Sequence, residues 1–247
     1  MKYFAKIKYS GRRFHGFQAQ KGLRTVQGEL TSSLSSLFGA PVQVTGCSRT
    51  DAGVHAIEFC ITIETDGADI PPDKLPMASQ QFLPEDISIF YTERCDPGFH
   101  PRYAARGKEY VYKILNESAR DPFLVGYAWH LPRKIDDNGL LRMKRAAEHI
   151  VGKHDFTSFM SEGSRITDAV RTVTSLDVSR DGGIIKVTVS ADGFLYNMVR
   201  IIVGTLTDIA FGRMEPEDIP HILDAKDRAS AGTTAPPDGL YLNRVFY

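Results

Sequence analysis

The sequence predicts an α+β protein made of two tandem βαββαβ units, on three observations. Apolar residues alternate with polar ones, the two-residue period of a half-buried strand, then shift to helical spacing and back, and that order occurs twice. The 247 residues are enough for two domains of ordinary size. At 42% hydrophobic and 24% charged, the chain can build a sizeable core and lacks the composition of a disordered protein.

The first pass opens with a strand over Lys2–Tyr9, followed by a turn or loop at GRRFHG. Val26, Leu30, Leu34 and Leu37 fall at helical spacing behind Thr25, whose hydroxyl suits an N-cap, so a helix runs to about Phe38. Val42, Val44 and Gly46 alternate with polar residues as a second strand. Ile57, Phe59, Ile61 and Ile63 alternate with Glu58, Cys60, Thr62 and Glu64 as a third. Leu75, Ala78 and Phe82 suit a short helix between Pro72 and Pro84, and Ile87–Thr92 supplies a fourth strand. This order is the ferredoxin-like plan.

The second pass begins with a strand at Lys108–Leu115. Leu140, Met143, Ala147 and Ile150 then mark a helix stopped by Gly152. Strands at Thr172–Val178 and Ile184–Ala191 follow, then an almost wholly apolar helix over Phe194–Phe211 and a short helix near Ile219–Ala225. A turn at PPDG (236–239) leads to a last strand, Leu240–Phe246. No residue-level repeat accompanies the repeated order. The stretch from about Cys95 to Gly107 is the expected junction, giving domains 1–100 and 101–247 whose sheets meet at a central cleft.

Charge and cysteine usage exclude several classes of function. Thirty Lys and Arg balance thirty Asp and Glu, which fits neither a polycation nor an acidic solubilising protein. The charge is nevertheless segregated. Met1 to Arg24 holds seven bases and no acid, Glu58 to Asp96 holds nine acids and two bases, and Arg102, Arg106, Lys108 and Lys113 follow as a second basic cluster. A basic face attracts polyphosphate without a high overall pI, although strands with solvated edges also carry lysines. No run approaches the roughly 18 apolar residues of a membrane span, and MKYFAKIKYSGRRF is not a signal peptide. Cys47, Cys60 and Cys95 have no CxxC spacing, an expectation of a reducing cytoplasm with neither a disulfide scaffold nor a zinc site.

Three places look chemical. GCSRTDAGVHA (46–56) lies between two strands, and its single carboxylate, Asp51, stands among small residues with Arg49 two positions before it. Such a turn either holds a carboxylate over a cleft, kept ionised by a guanidinium as a nucleophile requires, or simply bonds the Asp to its own turn. His55 makes a D-x-x-x-H pattern with Asp51, but metal sites use three or four ligands and no companion cluster is present; the better reading is a histidine that steadies the turn. Tyr110 and Tyr112, two apart on one strand, share a face that serves either to stack on an extruded base or to pack the core. Arg200 stands in FLYNMVRIIVGTL, where Tyr196, Arg200, Gly204 and Thr207 make a thin polar stripe. A buried guanidinium there needs an anionic partner or several acceptors, and the anion would be either a cleft-facing Asp or an internal structural acid. There is no GxGxxG, GxxxxGK[ST] or GxSxG, so neither a nucleotide cofactor nor a serine hydrolase is indicated.

With these residues in place, the sequence resembles the TruA family of tRNA pseudouridine synthases. The resemblance is carried in order by YSGRRFHGFQAQ (9–20), VQGEL (26–30), SRTDAGVHA (48–56), KEYVYKI (108–114), HDFTSF (154–159), FLYNMVRIIVGTL (194–206) and DGLYL (238–242). It implies a pseudouridine-synthase-like fold of two fused ferredoxin-like units around a basic cleft, and isomerisation of uridine in the anticodon stem-loop of tRNA. It implies that Asp51 is the nucleophile, that Tyr110 stacks on the target base and assists proton removal at C5, and that Arg200 pairs with the aspartate. Arg49, Arg12, Arg13 and His55 would contact the RNA. The resemblance further implies a cytoplasmic homodimer with tRNA as partner, using no metal and no organic cofactor. The chain departs from the family pattern at Ile57–Glu58, at Lys108–Glu109 and at Phe17, where Trp is frequent. Two rival expectations stand beside it: the same chemistry on another RNA, which the motif residues do not distinguish, and a non-catalytic RNA-binding module, against which a carboxylate placed where phosphates approach argues.

Overall fold

Alternation in the first part of the chain folds into strands β1 (Lys2–Tyr9), β2 (Val42–Gly46), β3 (His55–Thr65) and β4 (Ile87–Arg94), with helices α1 (Val26–Phe38) and α2 (Leu75–Ser79) between them. This is a computed structural model, and it describes residues 1–163 and 168–247. Two compact units divide the chain, Met1–Arg106 with Tyr241–Tyr247, and Gly107–Leu240.

In the first unit the strands run in the order β4-β1-β3-β2, every pair antiparallel, which is the ferredoxin-like arrangement. The period-2 pattern turns Tyr3, Ala5 and Ile7 of β1 and Phe59, Ile61 and Ile63 of β3 into the core, all wholly buried. Helix α1 lays Val26, Leu30, Leu34 and Phe38 against that face, with the Phe38 ring 5.7 Å from that of Tyr3. Its ends are set by local chemistry. The Thr25 hydroxyl accepts from the Gly28 N–H, and Gly39 at φ 66° supplies the left-handed C-cap that a side chain disfavours. The other face of β1 turns Phe4 edge-on to Phe99 and Tyr247.

The second unit holds β5 (Gly107–Leu115), β6 (Trp129–His130), α3 (Asp137–Ile150), β7 (Gly152–Asp155), β8 (Val170–Asp181), β9 (Ile184–Ala191), α4 (Met198–Ala210) and α5 (Asp218–Ala225). Its sheet runs β5-β9-β8-β7, antiparallel throughout, with β6 added parallel to β5. Val187 and Val189 of β9 and Tyr112 and Ile114 of β5 are buried, and so are Met143, Ala146 and Ile150 of α3 and nearly all of α4.

Three differences from the sequence reading have physical causes. Helix α4 begins at Met198 rather than Phe194, because Asn197 sits at φ 60° and a left-handed residue cannot continue a right-handed helix. The short strand β7 was not expected, since four residues give too little pattern to read. The expected division at 100 and 101 differs most at the C-terminus. The last strand, β10 (Leu240–Phe246), pairs parallel with β3 through Tyr241 opposite His55 and Leu242 opposite Ala56, so it counts with the first unit. The Arg106 N–H donates to the Phe246 carbonyl at 2.8 Å, which carries that unit past residue 100.

Candidate active site

Asp51, Arg49, Arg12, Arg13 and His55 belong to the first unit, Tyr110 and Arg200 to the second.

The Asp51 loop joins β2 to β3 and is gripped by backbone at several points. The last residue of β2 is a glycine, Gly46, and a Cβ there would lie 2.4 Å from the Phe17 ring, itself stacked on Phe59 at 4.3 Å. The Phe17 N–H donates to the Thr50 carbonyl and the Gly53 N–H to the Phe14 carbonyl, each at 3.2 Å, while the hydroxyls of Tyr9 and Thr50 share a buried bond of 2.8 Å. Gly16, at φ 84°, brings its backbone to where a Cβ would stand 2.5 Å from the Thr50 carbonyl oxygen. On the other side the Gly11 N–H donates to His55 Nδ1 at 3.1 Å, and the Gly11 backbone is in contact with Val54. Asp51 is half-buried, and the backbone of its loop is held on both sides.

His55 was expected both as a turn-stabilising ring and as an RNA contact. The structure buries it, 1% exposed, stacked on Tyr241 at 4.6 Å, so here it ties the Gly11–Arg13 turn to the loop rather than presenting a ring to solvent. Arg12, Arg13 and Arg49 are exposed. Arg13 reaches only 4.0 Å from Glu85, both side chains well in solvent, a pair worth little to stability. Arg24 has the opposite role. It grips both Asp86 oxygens at 2.8 and 3.0 Å and Glu29 at 2.9 Å, and it lies over the Phe14 ring at 4.2 Å. The Asp86 hydrogen bonds raise its guanidinium pKa, and its carbonyl accepts from the His15 N–H at 2.9 Å, fixing the basic loop.

In the second unit Tyr110 and Tyr112 do share the buried face of β5. Tyr112 is a core residue. It is wholly buried, its hydroxyl donates to the Pro236 carbonyl at 2.7 Å, and burial pushes its phenol pKa far up, with Arg200 pulling partly back. Tyr110 is 7% exposed and meets the Phe194 ring edge-on at 4.9 Å. Arg200, in the first turn of α4, donates from Nε to the Ala235 carbonyl and from Nη1 to Asn197 Oδ1, both at 2.7 Å. Among the described residues, no group of three or more His, Cys, Asp and Glu side chains is placed to hold a metal.

A family model described as tRNA pseudouridine synthase matches residues 5–104 and 146–247, which take in Asp51 and Arg200 and leave Tyr110 between the matched stretches. The chain belongs to the tRNA pseudouridine synthase family. It is 41% identical over 243 residues to a protein of Thermoanaerobacter sp. (strain X514), covering 98% of this chain and 97% of that protein. To a protein of Bacillus subtilis (strain 168) it is 41% identical over 243 residues with the same coverage, and to one of Geobacillus sp. (strain WCH70) 43% over 242 residues, 98% and 96%. Each of these is named tRNA pseudouridine synthase A.

Sequence reading missed two residues around the Arg200 of this family member. Asn197 both starts α4 and orients the guanidinium, and its Nδ2 donates to Ser161 Oγ at 2.9 Å. The signal was an Asn, tolerant of left-handed backbone, at the head of an apolar run. Asp208, 6% exposed, was passed over as part of an otherwise apolar helix. The polar stripe read through Thr207 also differs, since that hydroxyl bonds back to the Val203 carbonyl inside the helix.

Proposed function

We propose that this chain converts uridine to pseudouridine in the anticodon stem-loop of tRNA, with Asp51 as nucleophile. Membership of the family gives the reaction class, an isomerase acting on tRNA. In that reaction the N1–C1′ bond of a uridine breaks and a C5–C1′ bond forms. N1 gains a proton and C5 loses one. No electron is gained or lost, so the chemistry calls for no redox cofactor.

The target must first leave its stack, at a cost of a few kcal/mol. In this reading the exposed Arg12, Arg13 and Arg49 hold phosphates to offset that cost. Tyr110 stacks on the extruded base and serves proton removal at C5. Arg200 supplies the countercharge for the carboxylate. The protein works as a cytoplasmic homodimer. The observation that carries the proposal is the family match through a gripped loop whose single carboxylate is Asp51.

The test is incubation with an unmodified tRNA transcript, followed by mapping of pseudouridine. New pseudouridine confined to the anticodon stem-loop supports the reading. Modification elsewhere in the tRNA corrects the target, and binding without any pseudouridine overturns the catalytic reading.

A further inference from the structure

Helix α4 is crossed by a segment, Ala231–Pro236, at a distance only glycine allows. A Cβ on Gly204 would lie 1.7 Å from the Thr233 carbonyl oxygen, and one on Gly232 would lie 2.7 Å from both Thr205 Cα and Asp208 Oδ2. The crossing is tied at successive points. The Gly232 N–H donates to Thr205 Oγ1 at 3.0 Å and the Thr233 N–H to Asp208 Oδ2 at 3.2 Å. Ala235 then grips Arg200 from both sides, its carbonyl accepting from Nε at 2.7 Å and its N–H donating to the Arg200 carbonyl at 3.0 Å. One residue further, the Pro236 carbonyl accepts the Tyr112 hydroxyl.

We infer that this segment is a brace for the Arg200 guanidinium, and that Tyr112 and Asp208 are positioning residues acting through it. The inference rests on the proposed role of Arg200. The chemistry of the ties supports it. Asp208 is an acid on an apolar helix, and burying a carboxylate is costly unless it is matched. Its matches are the Arg213 guanidinium at 2.6 Å and the Thr233 N–H, so its negative charge is used to hold the segment down. Tyr112 remains a hydroxyl donor at any working pH, because burial keeps its phenol protonated. Together they fix the carbonyl that orients Nε, while Asn197 fixes Nη1. With two of its edges held, the planar guanidinium has one orientation rather than the many a long side chain explores.

The test uses Tyr112→Phe and Asp208→Asn in the full chain, with turnover read as tritium released from tRNA carrying tritium at uracil C5. Each variant should lose about tenfold in kcat with KM for tRNA changed less than about twofold, since a misaligned group costs turnover rather than binding. Against an Arg200→Lys background, which lacks the two-edged grip, Tyr112→Phe should cost less than about twofold more, because the brace then has nothing to orient. A merely structural role would lower the unfolding midpoint of both variants and leave kcat and its coupling to Arg200→Lys unchanged. Wild-type kcat in both variants beside an impaired Arg200→Lys overturns the brace. Wild-type kcat in Arg200→Lys itself overturns it for a different reason, by showing that Arg200 has no role to support.

Discussion

Replacing Gly11 with Ala adds one methyl group at the tightest point beside the Asp51 loop. Its Cβ would stand 2.0 Å from the Val54 carbonyl oxygen, 2.4 Å from the Val54 carbonyl carbon and 2.9 Å from the Gly53 carbonyl carbon. Real Cβ atoms essentially never come closer than 3.0 Å, so the two strands of backbone must separate by about 1 Å. All three neighbours are backbone, and no flexible side-chain end can step aside. The Gly11 backbone itself does not need glycine, as its φ is not in the left-handed range, so the effect is steric alone. Overpacking of this kind costs about 1–3 kcal/mol. The same separation stretches the bond from the Gly11 N–H to His55 Nδ1 and shifts the turn that ends at Val54, three residues after Asp51. A displacement of about 1 Å in a reacting group costs about a hundredfold in rate. Gly11→Ala should therefore unfold at lower urea and lose between tenfold and a hundredfold in kcat, measured by tritium release with saturating tRNA. Wild-type stability and kcat together would refute the argument that this contact sets the loop.

Other predictions follow from the ionic groups. Arg24→Met strips Asp86 of its two-toothed partner and should cost about 2 kcal/mol, reduced from a fully buried value because a third of the Arg24 side chain is in solvent. A double-mutant cycle with Asp86→Asn, read by urea denaturation, should show coupling of about 1 kcal/mol, and a value under about 0.3 would remove Arg24 as the clamp of the basic loop. Asp155 is held below its ordinary 3.8, first by the Thr157 hydroxyl and then by Lys226. A depressed acid stabilises the fold above its unfolded pKa and loses that contribution as pH falls through its folded value. Asp155→Asn should therefore lose less stability than the wild type between pH 5 and about pH 3, and equal losses would contradict the shift.

Much of the fold was legible because local rules and packing agree in it. The alternation of Ile57, Phe59, Ile61 and Ile63 marks β3. The spacing of Val26, Leu30 and Leu34 behind Thr25 marks α1, and Gly152 at φ 125° follows the end of α3. What escaped depends on contacts distant in sequence. No pattern within Leu240–Phe246 says that Tyr241 will pair beside His55, some 186 residues earlier. The start of α4 turned on one dihedral angle at Asn197, which apolar spacing does not report.

The candidate site divides along the same line. Asp51 stood out as a lone carboxylate among small residues, and Arg200 as a charge in an apolar helix. The parts that hold them were silent, because a glycine at position 11, 204 or 232 looks like any other until the backbone it must touch is known. Tyr112 was legible as a partner of Tyr110 in pattern, yet its hydroxyl is committed to the Pro236 carbonyl, a contact set by the chain's return 124 residues later.

The most direct test of the account is Asp51→Asn, which keeps the size of the side chain and removes its charge and nucleophilicity. Single-turnover incubation with tRNA tritiated at uracil C5 should release no tritium above the enzyme-free background, while affinity for the tRNA stays within a few-fold of wild type. Release of tritium by the variant at the wild-type rate would contradict the assignment of the nucleophile.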